Sequence, residues 1–365
     1  MHIGLVIYGS LEFQSGGFLY DRQIVQQLEQ DGNKVSVVAL PWRGYFRSLL
    51  DNWDAALGEC LAGGDWDVLL EDELAHPSLI LPNRRVSGPP IISLVHLLHS
   101  SSLPWSGWRL WLYRLVERLY LRSLDGCIFV CRRNQQLAQD LTGRIIPAVI
   151  AYPAGDHLPP VITTAEIKAR AGHSSQLKVA YVGSLIPRKA LHLLLAALEQ
   201  SPLASWQLRV IGSPEIDPDY ARRMQAQTQR PALQGHVQFL GALPNAQVAN
   251  KLAECDVLAL PSESEGYAIA YLEAKAQGLP VIATTASGAG ELIQSGQNGF
   301  LVAPGDLPAI SQALQLLAED AELRVKMSLA ARATYESHPT WKDATQIIHT
   351  FLEDRIADHP GSSKS

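Results

Sequence analysis

Short apolar runs alternate with longer amphipathic segments along this chain, and the alternation starts twice. Residues 3–7 have the composition of a buried strand. A loop rich in Gly and Ser, residues 9–17, follows, and residues 18–30 carry Leu19, Ile24, Val25 and Leu28 at helical spacing, with Gly32 as a natural stop. Residues 34–40, 68–70, 91–96, 127–130 and 148–151 read as further strands. The second series opens at Leu177, with strands expected at 178–182, 207–211, 237–240, 257–260 and 281–283 and helices at 187–200, 220–229, 267–277 and 307–318. Strand and helix in alternation require parallel sheets covered by helices on both faces.

The break between the series, residues 152–175, contains Pro153, Pro159 and Pro160 and reads as a linker. The expectation is therefore α/β, with two Rossmann-like doubly wound domains: residues 1–160 on the acceptor side, residues 161–340 for the donor, and a terminal helix and frayed tail, 341–365, able to cross back to the first domain. A length of 365 residues fits two domains of roughly 150 residues each. Such sheets bind ligands at the carboxyl ends of their strands, so two facing domains would hold a site in a central cleft.

Composition narrows the function classes. The chain is 47% hydrophobic and lacks long low-complexity tracts, which excludes a disordered chain. A net charge of −6 argues against a nucleic-acid partner. Cys60, Cys127, Cys131 and Cys255 form no C-x-x-C pair. The first apolar run is short and lacks a basic start, and no run approaches the 18 or so apolar residues of a spanning helix. The expected location is cytoplasmic, soluble or peripheral.

The most informative stretch is residues 258–283, LALPSESEGYAIAYLEAKAQGLPVIA. A strand ends at Pro261, and a polar loop with Glu265 and Gly266 leads into a helix expected from Tyr267. Glu273 follows eight positions after Glu265. Unpaired N–H groups at a helix start attract anions and hydroxyl oxygens. The spacing by itself fits two glutamates that bind a polyhydroxylated ligand and a ribose. It fits equally two solvated glutamates, worth about 0.3–1 kcal/mol through the helix dipole.

Pro261-Ser262-x-x-Glu265-Gly266-Tyr267-Ala268-x4-Glu273 resembles the E-x7-E signature of the family-4 retaining glycosyltransferases, with Tyr267 and Ala268 in place of Phe and a second Gly. The resemblance implies the two-domain fold called GT-B. It also implies that Glu265 binds donor-sugar hydroxyls, Glu273 binds ribose, and Gly266, Tyr267, Ala268 and Ile269 line the donor. Residues 182–189, VGSLIPRK, are similar to the family's V-G-x-L-x-x-x-K element, which assigns Lys189 to the diphosphate. An Arg frequently stands where this chain has Ser184, and Arg188 is the substitute on offer; taken alone, Arg188-Lys189 is also an ordinary surface pair. Ser15-Gly16-Gly17 resembles the glycine pair that faces the phosphates, and it is not a G-x-G-x-x-G fingerprint. His96 resembles the family histidine near the donor sugar, so His96, Glu265 and Lys189 form the expected catalytic set. Gly212 and Gly241 resemble loops that hold the nucleobase, and residues 152–156 take the place of the family's hinge element. Asp72, Glu73 and His76 are acceptor-side candidates, as hydroxyl ligands or a base; a plain charged loop is the other reading. His99 is a weaker candidate.

No metal is expected. Asp65-Trp66-Asp67 spells D-x-D but reads as a turn before a strand. No cofactor is expected either, because the nucleotide sugar is a co-substrate. The implied activity is hexosyl transfer from a UDP- or GDP-sugar to a hydroxyl of a sugar, lipid or small molecule, with retention. The alternatives are a non-catalytic, membrane-associated subunit of the same fold, or a nucleotide-sugar epimerase or phosphorylase. Residues 103–125 stand apart, with Trp105, Trp108 and Trp111 and a ladder of Arg114, Arg118 and Arg122. Residues 84–144 hold nine Arg or Lys and three acids, whereas residues 48–83 hold eight acids and no Arg or Lys. A basic helix with Trp and Leu suits the inner face of an anionic membrane, and it also suits a helix packed on the sheet with solvated arginines.

Overall fold

Twelve strands pair, all in parallel, into two six-stranded sheets in the computed structural model, which describes residues 1–13, 15–103, 106–173 and 176–359. The chain divides into one unit of Met1–Pro153 with the stretch from Pro339 onward, and a second unit of Ala154–His338.

In the first unit the strands are β1 (His2–Tyr8), β2 (Lys34–Leu40), β3 (Val68–Asp72), β4 (Ile91–Val95), β5 (Gly126–Phe129) and β6 (Ala148–Ile150), in the order β2-β1-β3-β4-β5-β6. The interior strands are buried along nearly their whole length, as a sheet with helices on both faces demands. The helix Trp341–Asp358 belongs here. Thr340 and Asp343 close a capping box at its start, and the Trp341 indole meets the Tyr20 ring edge-on at 5.4 Å. Gly126 leaves room for this helix: a Cβ there would stand 2.9 Å from Phe351 Cζ.

In the second unit the strands are β7 (Leu177–Val182), β8 (Trp206–Ile211), β9 (Val237–Gly241), β10 (Val257–Leu260), β11 (Val281–Thr284) and β12 (Gly299–Val302), in the order β12-β11-β10-β7-β8-β9. Both sheets start a new strand beside their first one and then reverse, which is the doubly wound arrangement.

Two expectations about chain organisation are corrected. The boundary falls at Pro153/Ala154 instead of 160/161, because the next residues already pack on the second unit: Gln277 Nε2 donates to the Pro159 carbonyl at 3.2 Å, and a Cβ on Gly155 would lie 2.9 Å from Leu272 Cβ. The expected linker also contains the helix Thr164–His173. Thr163 and Glu166 cap it reciprocally, with Thr163 N donating to Glu166 Oε2 at 2.7 Å and Glu166 N donating to Thr163 Oγ1 at 3.3 Å. Thr-x-x-Glu is a capping-box signal that the proline-rich composition masked.

Candidate active site

The second unit gathers its chemistry at the carboxyl ends of β7 and β10. The loop after β7 runs from Gly183 through a short turn, Pro187–Lys189. Ala190 closes that turn at φ 55°, a left-handed conformation that is strained for alanine and fixes the direction of the two side chains before it. Glycines let the neighbouring loops come together. Gly183 N donates to Ile211 O at 2.9 Å, Gly212 N donates to Gly241 O at 2.8 Å, and a Cβ on Gly212 would collide with the Gly183 carbonyl.

Glu265 lies in the loop after β10 and is 6% exposed. Lys189 Nζ pairs with Oε1 of its carboxylate, and Arg188 Nη1 stands 3.2 Å from Oε2. Ser262 Oγ donates to Oε1 at 3.1 Å, and Arg188 Nη1 also donates to the Ser264 carbonyl at 2.7 Å. Burial alone would raise the Glu265 carboxyl; the Lys189 and Arg188 charges outweigh it and hold the group down at about 2. Burial, with Arg188 beside it, lowers the Lys189 ammonium against the opposing pull of Glu265.

The following helix is Ile269–Ala276, two residues later than expected. Glu265 bridges to Ser287 in strand-like fashion and Gly266 O accepts from Gly288 N at 2.8 Å, so the chain stays extended through Tyr267 and Ala268. Tyr267 and Ala268 therefore belong to the buried loop, and Ile269 starts the helix. Glu273 sits on that helix, with Oε1 3.0 Å from His157 Nε2. His157, in the turn after the hinge-like segment, was not singled out from the sequence.

In the first unit, Ser15 caps the helix Gly16–Gln30 by accepting from Phe18 N at 3.4 Å. Gly16 and Gly17 form the helix start, and Gly17 lies against the His96 ring, where a Cβ would stand 3.5 Å from Cδ2. His96 follows β4. Its Nε2 lies 2.9 Å from Asp21 Oδ1, its N–H donates to Glu73 Oε2 at 3.2 Å, and its carbonyl accepts from Asn134 Nδ2 at 2.7 Å. Asp21 was missed. The available signal was a carboxylate in register with Ile24, Val25 and Leu28, on the buried face of that helix.

The acceptor-side candidates are corrected. β3 runs on through Asp72, so the acidic stretch is no solvated loop: Asp72, Glu73 and His76 are each at most 4% exposed. Asp72 Oδ1 accepts from Leu74 N at 2.9 Å, and Glu73 Oε2 accepts from both His96 N and Leu97 N at 3.2 Å. His76 is held between the Glu73 carbonyl, 2.8 Å from Nδ1, and the Tyr45 hydroxyl, 3.1 Å from Nε2; burial lowers it to about 3, which keeps it neutral. These groups brace the turn behind His96. His99 stacks on Tyr45 at 5.1 Å. Among the described residues, Asp21, Asp72 and His96 are the group whose ligand atoms lie within metal-binding distance of one another, all within 4.8 Å. In the D-x-D segment, Asp67 Oδ2 accepts from His2 N at 2.7 Å.

This geometry coincides with a family match over residues 163–334, whose description is glycosyl transferases group 1. The whole chain is similar to the phosphatidyl-myo-inositol mannosyltransferase of Mycolicibacterium smegmatis, 25% identical over 365 residues that cover 93% of this chain and 89% of that protein. It is also similar to the sulfoquinovosyl transferase SQD2 of Arabidopsis thaliana, 32% identical over 185 residues; there it covers 50% of this chain but spans only 34% of that relative's length. Among solved structures, sucrose-phosphate synthase from Thermosynechococcus elongatus superposes with a TM-score of 0.80 at 20% identity, covering 98% of this chain and 99% of that one. The chain thus has the two-domain α/β fold of GT-B glycosyltransferases.

The matched residues 163–334 contain the Glu265 cluster and Glu273. Outside it, the helix Gly107–Leu121 buries Tyr113, Val116, Glu117, Tyr120 and Leu121 and leaves Arg114, Arg118, Trp108 and Trp111 exposed. Arg122, just beyond, donates to the Thr142 carbonyl at 2.9 Å. Trp105 lies outside the described residues. Trp42, Phe46, Leu50 and Trp53 are exposed as well, and Phe46 touches Tyr113 of that helix at 5.6 Å. No helix among the described residues is long and apolar enough to cross a membrane.

Proposed function

We propose that this chain is a retaining, metal-independent glycosyltransferase that moves a hexosyl group from a UDP- or GDP-sugar to a hydroxyl acceptor. The observation that carries the reading is the pairing of the buried Glu265 carboxylate with the half-buried Lys189 and Arg188, ahead of the helix that bears Glu273. Departure of a nucleoside diphosphate builds negative charge on its phosphate oxygens. Fixed cations in a buried setting stabilise that charge more strongly than solvated ones do. Lys189 and Arg188 are assigned to the diphosphate. Gly16 and Gly17, at a helix start, carry N–H groups that suit an anion. Glu265 accepts from sugar hydroxyls, and Glu273, steadied by His157, accepts from the ribose.

In this reading the acceptor oxygen bonds to the anomeric carbon on the face that the diphosphate leaves. The carbon–oxygen bond to the β-phosphate breaks, and the acceptor proton passes to the departing phosphate oxygen. His96 stands beside the donor sugar.

The acceptor in this reading is a hydroxyl carried by a membrane lipid, met at the inner face of an anionic membrane. Two observations support it. Trp108 and Trp111 are exposed on a helix that also exposes Arg114 and Arg118, and Trp42 and Trp53 are exposed in the same unit, a composition that suits the interfacial layer. A relative similar over most of the chain is named for phosphatidyl-myo-inositol mannosyl transfer.

The test is thermal-shift titration with a panel of nucleoside diphosphates, then NMR of the product formed from the donor that stabilises the chain. The expected product keeps the donor's anomeric configuration, and turnover survives dialysis against a chelator. An inverted product, or turnover that returns only with added divalent metal, overturns this reading.

A further inference from the structure

The strongest unassigned feature is Asp21. It is fully buried in the first turns of the helix Gly16–Gln30, and only one of its carboxylate oxygens is satisfied. Oδ1 lies 2.9 Å from His96 Nε2, whereas Oδ2 has no hydrogen-bond partner. A buried carboxylate with so little solvation is costly unless an opposite charge stands against it. The opposite charge available is the imidazolium of His96.

His96 has little freedom to serve any other geometry. Glu73 holds its N–H, Asn134 holds its carbonyl, the Tyr20 ring meets its ring edge-on at 5.1 Å, and Gly17 lies flat against it. Turning the ring would leave the Asp21 carboxylate with no partner. The charged groups that act on the ring are Asp21 from the first helix and Asp72 and Glu73 from the end of β3; the helix Arg132–Thr142 contributes the uncharged Asn134. Burial alone would lower His96, but Asp21, through both its charge and its hydrogen bond, and then Asp72 and Glu73 raise it to about 9. Nδ1 carries no hydrogen bond among the described residues, so it is the nitrogen left to meet a ligand.

We infer that Asp21 is a positioning residue for the transfer: it anchors His96 through Nε2 as an imidazolium, so that Nδ1–H is held as a charged donor to an oxygen of the bound nucleotide sugar. No proton is transferred. The inference rests on the proposed glycosyltransferase reading for what Nδ1–H meets, but the anchoring itself is tested without turnover.

The experiment is an NMR titration of the full chain with 13C-labelled histidine, the His96 signal being assigned by its loss in His96→Gln. In the parent, His96 stays protonated through pH 8. In Asp21→Asn, which keeps an acceptor oxygen but removes the charge, its midpoint falls by about two units. Turnover at pH 8 then drops by about tenfold and recovers toward the parent's at pH 6, a pattern that a merely structural defect does not give. A neutral His96 in the parent at pH 7 overturns the inference even if Asp21→Asn fails to fold. An unchanged midpoint in the variant, or equal losses at pH 6 and pH 8, overturns it too. Selective broadening of His96 by micromolar Mn2+ also overturns it, by making Asp21, Asp72 and His96 a metal site. Absence of turnover with every nucleotide sugar, alongside a protonated His96, counts against the proposed activity and leaves the anchoring standing.

Discussion

Lys189 pairs with one oxygen of the buried Glu265 carboxylate, and Arg188 reaches the other oxygen at 3.2 Å. The cations assigned to a diphosphate are therefore engaged by the carboxylate assigned to the sugar. In the proposed function, a diphosphate draws Lys189 and Arg188 away from Glu265 and so frees that carboxylate for hydroxyls.

Glu265→Gln removes the competitor. Breaking one side of a buried pair costs about 3–5 kcal/mol, because the remaining charges lose their partner. The variant should therefore melt well below the parent, and a nucleoside diphosphate should restore more stability to it than to the parent. Its turnover should fall, since a neutral amide is a weaker acceptor. Thermal melts with and without nucleoside diphosphate check this; an equal ligand-induced shift in both proteins would show that the pair does not compete with the ligand.

Lys189→Ala and Glu273→Ala should separate phosphate from ribose. Losing one charged hydrogen bond costs about 1.5–3 kcal/mol, or roughly ten- to a hundredfold in affinity. Lys189→Ala should lose that much for the diphosphate and little for the free nucleoside, while Glu273→Ala should lose it for both. Calorimetric titration with the two ligands is the check, and equal losses for both ligands in Lys189→Ala would remove the lysine from the phosphate.

The first unit should weaken at alkaline pH. Glu71 is fully buried on β3, and burial pushes its carboxyl up to about 8 despite a hydrogen bond from Asn83 Nδ2 at 3.1 Å. Its folded value lies above its ordinary one of 4.5, so the unfolded chain releases the proton first. The Glu71 contribution to stability is whole below about 4.5 and is lost as pH rises through about 8. Glu73 acts in the same sense, raised to about 8 chiefly by burial. Glu71→Gln imitates the protonated form and should reduce the fall in melting temperature between pH 6 and pH 9. Identical slopes in parent and variant would show that Glu71 does not titrate in this range.

Membrane attachment should be weak and sensitive to salt. Each basic side chain near an anionic surface contributes about 1 kcal/mol. Arg114, Arg118 and the flanking tryptophans should together sediment the chain with anionic liposomes at low salt and release it at high salt. Trp108→Ser with Trp111→Ser should lower sedimentation without lowering the melting temperature, because both rings are more than 60% exposed. Arg114→Glu with Arg118→Glu should abolish it, and a parent that never sediments would point to a soluble acceptor.

The alternation of apolar runs and amphipathic segments determined the class of fold. Residues 3–7 and 179–182 are strands in a fully covered sheet because they are apolar without interruption, a property of the run itself. Glu265, Gly266, Glu273 and Lys189 were legible as a candidate site through the resemblance of two short segments to a family signature, where spacing by itself left solvated side chains open. Tertiary structure decided the rest. Asp21 and His96 are 75 positions apart, and no local period reports that they meet. Asp72, Glu73 and His76 read equally as acceptor-side ligands and as a charged loop, and nothing local in the sequence separates the two. Only the continuation of β3 into the sheet interior buries them, and burial then changes which of them hold a proton. The Lys189–Glu265 pair is decided in the same way: each charge is expensive to bury alone, so the two adjacent loops that bury them also bring them together.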